Sequence, residues 1–405
     1  MPNLTLSTTI LLPGLVAAAI YGVFVCSFNN GLMPNITAHV MRGDPNVPGA
    51  DVPLKKYYTG IGPIDQQLVL LQIFFWPITS GSSPRLILQG IHFVGQAGAY
   101  WAVMVLEAMR TGNQGRIITF TTIFGLLYQN ISLGVTIPIW GMLYLLTKRQ
   151  RPTSALPVAL SLPTPSIAAL PPAIFLGLTV PSITMALPAP DVVSHDFHQI
   201  AIALWQPFPL WISLAWYALR PLFATRATTE RLSAPGKTYA ALTRLHVFAL
   251  TLAVTSHVSA LTLSLGTLLA PSAFAPHIVD AFEPLSVFLP RTAAPGVALP
   301  LNEGILRFLQ WDEAVSCAAA LVWAGAVYRG DTREKGSFFA GLLGRSLLWT
   351  VVGGPAAAVV ALVWARDEVV LCGAVDDGKE KEKGNAKVQA GGGGGSQGKS
   401  AKKGR

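Results

Sequence analysis

Three carboxylic acids that lie in or beside apolar stretches are the side chains best placed for acid chemistry: Asp65, Glu107 and Asp312. An ionisable group at membrane depth is costly, so it usually has a partner or a task. A carboxyl group that loses its water can keep its proton near neutral pH and then serve as a general acid. We therefore take these three acids as the candidate catalytic residues.

Glu107 has neighbours suited to holding a carboxyl group in place. It follows a long uncharged stretch and precedes Arg110 by three residues, so the two side chains can pair on one helix face. Asn113 follows and could orient the pair. The alternative is an interfacial ion pair at the end of a helix, since Gly112 and Asn113 are typical of helix C-termini.

Asp65 and Asp312 also have competing interpretations. Asp65 follows the Gly- and Pro-containing turn 60–63, so it could be an ordinary cap of a helix N-terminus. Asp312 and Glu313 are adjacent in an apolar segment, and we expect one of them to face the interior of the bundle. Trp311 would then form an aromatic wall beside it.

Aromatic and amide side chains on the same segments could shape a binding cavity. Trp76, Trp101 and Gln129 lie on or next to the apolar segments that carry the acids. The faces of aromatic rings stabilise positive charge. The default alternative for the tryptophans is the aromatic belt at the membrane interface.

The sequence contains no motif that predicts a metal or a cofactor. The His-Asp-Phe-His motif at 195–198 looks metal-like, but a metal site needs further converging ligands. A helix cap is therefore the preferred interpretation, and the histidines at 92, 246 and 257 are interpreted as hydrogen-bonded core groups. There is no phosphate loop, dinucleotide fingerprint or nucleophile elbow. We predict neither metal nor cofactor.

The composition indicates an integral membrane protein. Only 12% of the 405 residues are charged and 51% are hydrophobic, whereas a soluble domain carries about 25% charged residues. The net charge of +9 comes from loops and a Lys-rich end rather than from a basic stripe with interleaved aromatics. We therefore expect a lipid bilayer around the protein and no nucleic-acid partner.

Eight or nine segments are apolar enough to span a bilayer, which needs about 20 residues. The clear segments are 8–28, 84–107, 117–146, 166–187, 199–219, 239–268, 305–328 and 337–364. Segment 64–79 is either a short span or a re-entrant segment broken at Pro77. We predict an all-α polytopic membrane bundle over 1–365, with halves 1–150 and 166–365 joined by a Pro-rich linker. Residues 366–405 are predicted to be a disordered tail.

Basic residues in short loops predict the orientation of the bundle. The clusters at 148–151, 220–237 and 329–335 fall on one side, the cytosolic one, when the spans alternate. The sequon Asn35-Ile36-Thr37 then lies on the opposite side, where glycosylation is predicted. Nine spans would put the Lys-rich tail on the outer side, so either segment 64–79 is re-entrant or segment 337–364 does not fully cross, with Gly353-Gly354-Pro355 marking a break. We expect a multi-pass protein of the endoplasmic reticulum.

A set of motifs in this chain resembles a group of fungal multi-pass proteins of secondary metabolism. It comprises Gly60-x-Gly62-x-x-Asp65, Phe-Phe-Trp-Pro at 74–77, Glu107-x-x-Arg110-x-Gly112-Asn113, Gln129 and Pro138, with Leu309-Gln310-Trp311-Asp312 as a weaker match. The group contains integral-membrane terpene cyclases, including those that act on farnesylated, epoxidised meroterpenoids. The resemblance covers mainly residues 57–147.

The resemblance implies a reaction that agrees with the candidate residues. A protonated Glu107, held by Arg110 and Asn113, would donate its proton to an epoxide or alkene of a lipophilic prenylated substrate. Asp312 or Asp65 would serve as the second acid or base, and Gln129 would orient the substrate. Aromatic faces in a dry cavity would stabilise the cation until deprotonation quenches it. Other enzymes of the same pathway are the expected partners.

Three other functions fit the residues without the resemblance. A sterol-type double-bond isomerase would also transfer protons between embedded acids and would form no ring. A proton-coupled transporter would use the acids as relays, although no inverted repeat is visible in the sequence. A non-catalytic scaffold would use them only to cap helices.

Overall fold

The described part of the chain is made of helices joined by short turns. The computed structural model describes residues 6–149, 151–224, 235–292, 296–332 and 339–391. No β-strand occurs within these ranges, where a single isolated bridge joins Asn46 and Pro53. The predicted all-α class is confirmed.

The helices are given in two sets, which meet at the turn between residues 160 and 164. The first set is α1 (Ser7–Asn29), α2 (Leu32–Arg42), α3 (Gly62–Thr79), α4 (Pro84–Met109), α5 (Thr121–Ile131), α6 (Leu133–Leu146) and α7 (Leu156–Leu160). The second set is α8 (Thr164–Met185), α9 (His195–Trp205), α10 (Phe208–Leu219), α11 (Pro235–Leu269), α12 (Pro276–Ala281), α13 (Pro284–Phe288), α14 (Leu301–Thr332), α15 (Gly344–Gly353) and α16 (Pro355–Gly391).

Helix α4 is the centre of the molecule. It packs against α11, α14 and α16, and every residue from Gly98 to Ala108 is buried. A helix that is buried on all sides lies in the interior of a bundle. Its polar side chains must therefore find partners within the protein or line a cavity.

Fewer helices qualify as membrane spans than the sequence predicts. Within the described ranges, three helical segments are both long and apolar enough to cross a membrane: Ser7–Asn29, Thr164–Met185 and Thr238–Leu269. Helices α9 and α10 bend by 72° and would together supply a fourth. The predicted count of eight or nine is not confirmed, because helices such as α4 and α14 carry many buried polar side chains.

Helix α3 is continuous where the sequence suggested a break. Pro77 lies in its last turn, the backbone amide of Ser80 donates to the Trp76 carbonyl, and the helix ends at Thr79. Its 18 residues correspond to about 27 Å at 1.5 Å per residue. Of the two alternatives for segment 64–79, the structure does not support a break at Pro77, and the short span stays a prediction.

A break at 353–355, one of the two alternatives that the sequence left open, is present, and a buried glutamine holds it. Helix α15 ends at Gly353, Gly354 has φ +84°, and α16 begins at Pro355. The Gln96 side chain of α4 donates to the Gly353 carbonyl (3.1 Å) and accepts from the Ala356 amide (2.9 Å). These two bonds satisfy backbone groups that the break frees.

The predicted boundary between the bundle and the tail at residue 366 is too early. Arg366 and Asp367 are fully buried, and burial of hydrophobic residues continues to Leu371. The helix itself extends to Gly391, and residues 392–405 lie outside the described ranges. The sequence prediction failed because charged residues after an apolar helix usually mark its exit to water.

Arg366 and Asp367 belong to a buried cluster of four charges with Glu107 and Arg110. Arg366 donates to both Glu107 oxygens (2.5 and 3.1 Å), and Arg110 donates to Asp367 (2.7 and 2.9 Å). Arg110 also pairs with Glu107 at 2.5 Å. All four side chains are at most 1% exposed. The cluster therefore joins the C-terminal end of α4 to α16.

The predicted glycosylation and the predicted membrane orientation are not tested by the structure. Asn35 is exposed on α2, and its glycosylation stays a prediction. Residues 225–234 and 333–338 hold parts of two basic clusters that predict orientation, and they lie outside the described ranges.

The Asp367→Asn variant should lower the free energy of unfolding by about 3–5 kcal/mol, because it leaves two buried guanidinium groups with Glu107 as their one hydrogen-bonded carboxylate. Thermal unfolding of the protein in detergent micelles measures the change. Glu368→Gln is the matched control, since Glu368 is the next residue of the same helix and is exposed. Equal stability of the two variants would contradict a stabilising role for the cluster.

The Gly354→Ala variant should cost about 1–3 kcal/mol of stability, because a side chain is strained at this positive φ. A Cβ atom there would also approach the Gln96 side chain to 2.5 Å. Gly373→Ala is the control, since nothing lies within 4 Å of a Cβ at that helical position. A melting temperature for Gly354→Ala at or above that of Gly373→Ala would refute the expected strain.

Candidate active site

A cavity of about 650 Å³ lies beside helix α4, with further lining from α3, α8 and α14. Its lining includes exposed residues, among them Gly81, Pro188 and Asp191, and buried ones, among them Tyr128 and Asp312. Most of the lining is hydrophobic or aromatic. Cavities of about 300–1,000 Å³ with this kind of lining bind small lipophilic molecules.

Aromatic rings form much of the cavity wall and contact one another. Phe74 of α3 lies edge-on to Phe308 of α14 at 4.9 Å between ring centroids, and Phe75 contacts Trp205 at 5.1 Å. The other aromatic lining residues are Phe24, Phe93, Trp101, Tyr128 and Phe208. Packed rings hold the shape of a wall well, because few rotamers are open to them.

Asp312 is the buried carboxylic acid of the cavity, and its position is set by the start of helix α6. Its side chain is 5% exposed. The Ser132 hydroxyl donates to Oδ1 at 2.9 Å, and the Gly134 amide donates to the same oxygen at 2.5 Å. Oδ2 takes neither of these bonds. A carboxyl group at this helix N-terminus is also favoured by the helix dipole.

Ser132 creates the helix start that Asp312 contacts. It separates α5 from α6 and has φ +75°, a left-handed conformation that non-glycine residues rarely adopt. Such strain persists only where the surrounding structure imposes it, and it is common near functional sites. The kink aims both the Ser132 hydroxyl and the Gly134 amide at Asp312.

Gln129 and Trp101 also line the cavity, as predicted for substrate-contacting residues. The Gln129 Nε2 atom is buried and has no hydrogen-bond partner among the described residues. An unpaired buried donor is costly unless a ligand or water satisfies it. Trp101 lies edge-on to Tyr128 at 5.3 Å.

The structure does not bring Glu107 into the cavity with Asp312. Besides its two arginine partners, Glu107 accepts a bond from the Tyr144 hydroxyl (2.7 Å). Asn113 donates to the Glu107 backbone carbonyl (2.6 Å) and accepts from Arg116. The predicted association of Glu107, Arg110 and Asn113 is present, but the predicted pocket shared with Asp312 is not, because the two arginines engage the carboxylate elsewhere.

Asp65 also lies away from the cavity lining. Its oxygens accept hydrogen bonds from the amides of Tyr58, Thr59 and Gly60 and from the Thr59 hydroxyl, at 2.7–3.2 Å. The helix-cap alternative thus describes its position best, except that Asp65 fixes the preceding loop rather than the first turn of α3. Four donors leave little capacity for a substrate.

Trp76 and Trp311 face away from the cavity. Trp76 stacks on His198 at 5.0 Å, and Trp311 packs so closely on α1 that a Cβ atom at Gly22 would meet its ring at 2.3 Å. Helical periodicity explains both corrections: the lining residues of α3 are 67, 70, 71, 74, 75, 78 and 79, and those of α14 are 308, 309 and 312. Trp76 and Trp311 fall on other faces.

Phe74, Phe75 and Ser132 are site residues that the sequence analysis did not select. A 3.6-residue periodicity through Asp312 and Phe308 could have indicated which face carries the cavity. For Ser132 no local signal exists, since only the tertiary contact with Asp312 distinguishes it from other serines in apolar segments.

A second buried acid beside Asp312 has a different set of partners. Glu313 accepts from Gln89 (2.5 Å) and contacts His92 Nδ1 (2.6 Å), and His92 Nε2 lies 3.0 Å from His257 Nδ1. These residues link α14, α4 and α11. Asp312 and Glu313 thus have different partners, and both are buried, whereas the sequence analysis expected only one of them to face the interior.

The His-Asp-Phe-His motif at 195–198 forms the first turn of α9. Ser194 caps that turn by accepting from the Phe197 amide (3.1 Å), and Asp196 pairs with Lys55 (2.7 Å). Within the described ranges, no group of three or more His, Cys, Asp or Glu side chains has the geometry to hold a metal ion.

Comparison with known proteins identifies relatives over most of the chain. A family model described as the CtvD domain matches residues 7–371, whose last residue is the buried Leu371. Terpene cyclase penA of Penicillium crustosum is 32% identical over 358 residues, covering 86% of this chain and 93% of that protein.

Two further relatives carry the same kind of name. Terpene cyclase ascI of Acremonium egyptiacum is 30% identical over 338 residues, covering 80% of this chain and 83% of that protein. Terpene cyclase ctvD of Aspergillus terreus is 29% identical, covering 86% and 95%. No solved structure matches the chain. The chain belongs to the CtvD-domain family of fungal terpene cyclases.

Proposed function

We propose that this protein is an integral-membrane terpene cyclase in which Asp312 donates the proton that starts cyclisation. The observation that carries the proposal is the buried Asp312 carboxyl group in an apolar, aromatic-lined cavity. The substrate is a lipophilic prenylated molecule with a terminal epoxide or alkene. Such a molecule partitions into the bilayer and enters the cavity from there.

The first step transfers one proton. Because Ser132 and Gly134 both donate to Oδ1, the proton to be transferred belongs on Oδ2. It passes to the epoxide oxygen, the C–O bond at the more substituted carbon breaks, and that carbon becomes a cation. The resulting Asp312 carboxylate keeps its two donors at the N-terminus of α6, so the charge left on the enzyme is stabilised.

The following steps form the ring and return the proton. A neighbouring double bond donates its electron pair to the cation, which forms a C–C bond and moves the positive charge along the chain. The aromatic walls stabilise that charge through their ring faces, and the apolar cavity keeps out water that would trap it as an alcohol. Loss of a proton from carbon gives an alkene, and Asp312 regains a proton, so the overall reaction is an isomerisation.

Glu107 has a structural role in this proposal rather than the donor role that the resemblance implies. Its carboxylate lies outside the cavity lining and is engaged by Arg110, Arg366 and Tyr144. A proton on Glu107 would have to leave that cluster and cross the protein interior to reach a substrate. Asp312 needs no such transfer.

We further propose a multi-pass location in the endoplasmic reticulum, in contact with enzymes that prenylate and epoxidise the substrate. In the described part of the chain, three helices are long and apolar enough to cross a membrane, which supports insertion. A lipophilic intermediate would pass between such enzymes within one bilayer.

The Asp312→Asn variant should reduce cyclisation by at least about 100-fold, because the amide keeps the shape of the side chain and cannot donate an acidic proton. Product analysis of microsomes supplied with an epoxidised farnesylated phenol measures the loss. Asp196→Asn, on the surface of α9, is the control and should match the parent protein. Undiminished cyclisation by the folded Asp312→Asn protein would contradict the assignment of Asp312 as the proton donor.

The Glu107→Gln variant should unfold at a lower temperature yet retain most of its activity per folded molecule. It weakens the four-charge cluster and leaves the cavity unchanged. Activity is normalised to the fraction of monodisperse protein in size-exclusion chromatography. If the folded Glu107→Gln protein were inactive and the Asp312→Asn protein active, Glu107 would be the proton donor.

A further inference from the structure

A second cavity of about 420 Å³ lies next to the first and shares one wall with it. Trp101 is the one described residue that lines both cavities. The second cavity is bordered by Val105 and Ala108 of α4, by Thr122 of α5 and by Trp216 of α10. It is unused by the mechanism above.

The two cavities follow one another along the same elements. On α4 the first cavity is lined by 87, 90, 91, 93, 94, 97 and 98 and the second by 105, 108 and 109, with Trp101 between them. These positions recur at intervals of three and four and therefore share one helix face. On α5 the order is reversed: Thr121 and Thr122 line the second cavity, and Tyr128 and Gln129 the first.

The other two bordering elements show the same division. On α8, Ser166 and Leu170 line the second cavity, and Leu178 and Ser182 line the first. On α10, Phe208 lines the first cavity, and its neighbour Pro209 the second. Four helices thus border both cavities, and Trp101 is the residue where the two linings meet.

The Trp101 ring is fixed in this position. It is 3% exposed and lies edge-on to Tyr128. Gly125 of α5 makes room for it, since a Cβ atom there would lie 3.1 Å from the ring and 2.4 Å from Pro209. A ring held on both sides cannot swing aside at low cost, because protein interiors are close-packed.

We propose that Trp101 ends the substrate cavity and thereby sets the length of the isoprenoid chain that the enzyme accepts. Removing the ring would join the two cavities, so that a chain longer by one isoprene unit could extend past position 101 into the second cavity. The proposal rests on the proposed function for its substrate class, and its geometric part concerns binding alone.

The test compares the parent protein with Trp101→Ala, Trp101→Phe and Val105→Ala in microsomes. The probes are the terminal epoxides of a farnesylated and a geranylgeranylated phenol, supplied together. Trp101→Ala should raise the ratio of geranylgeranyl to farnesyl conversion by at least about tenfold, as expected when a pocket gains room for several methylene groups. Trp101→Phe should give an intermediate ratio. Val105→Ala enlarges only the second cavity and should keep the parent ratio.

A binding measurement separates this inference from the proposed function. The shift in melting temperature caused by the same two phenols without the epoxide is recorded in detergent micelles. The parent protein should be stabilised more by the farnesylated phenol, and Trp101→Ala more by the geranylgeranylated one.

The outcomes of the two measurements are distinct. A reversed binding preference without cyclisation by any protein would support the inference and overturn the proposed function. Cyclisation of the farnesyl probe by the parent and by Trp101→Ala, with no change in ratio or binding preference, would overturn the inference and leave the proposed function standing. If Trp101→Ala does not fold, an unchanged preference in folded Trp101→Phe overturns the inference.

Discussion

The buried cluster of two carboxylates and two guanidinium groups between helices α4 and α16 is the interaction on which the rest of the structure depends. Charges removed from water are stable only when all partners are present, because each one left alone carries its full desolvation cost. Arg110 and Glu107 from α4 meet Arg366 and Asp367 from α16, and His246 of α11 contacts Asp367 at 3.0 Å. The cluster thereby sets the axial position of the central helix.

The position of α4 in turn decides what its other face can do. The C-terminal end of α4 contributes to the charge cluster. Gln96 and His92 contact other helices, and a further face of α4 lines the two cavities. Two kinds of buried polar group bear on the candidate site. Glu107 and Glu313 are engaged by protein partners, as expected for groups that hold helices together. Gln129 keeps an unsatisfied donor beside the cavity, where a ligand can use it.

The sequence allowed some of this arrangement to be predicted, and helical geometry explains where the prediction failed. The all-helical class followed from long apolar segments, and the association of Glu107 with Arg110 from their spacing of three. The prediction that Trp76 and Trp311 contact the substrate was wrong because it considered the residue type and not the helix face. The aromatic residues of those two helices that line the cavity are Phe74, Phe75 and Phe308. The early end of the bundle was wrong because Arg366 and Asp367 have the residue types of a surface and the partners of a core.

What the sequence determined by itself is local: which segments are helical, where Gly354 and Pro355 break a helix, and which acids lie in apolar surroundings. These features depend on backbone geometry and on residues a few positions apart. Only the tertiary structure decided which acid faces a cavity. Glu107 is held outside the cavity lining by Arg366, which is distant from it in the chain. Asp312 is positioned in the cavity by Ser132, at the kink between α5 and α6. Contacts over such separations are set by packing of the whole bundle, and no local pattern of residues encodes them.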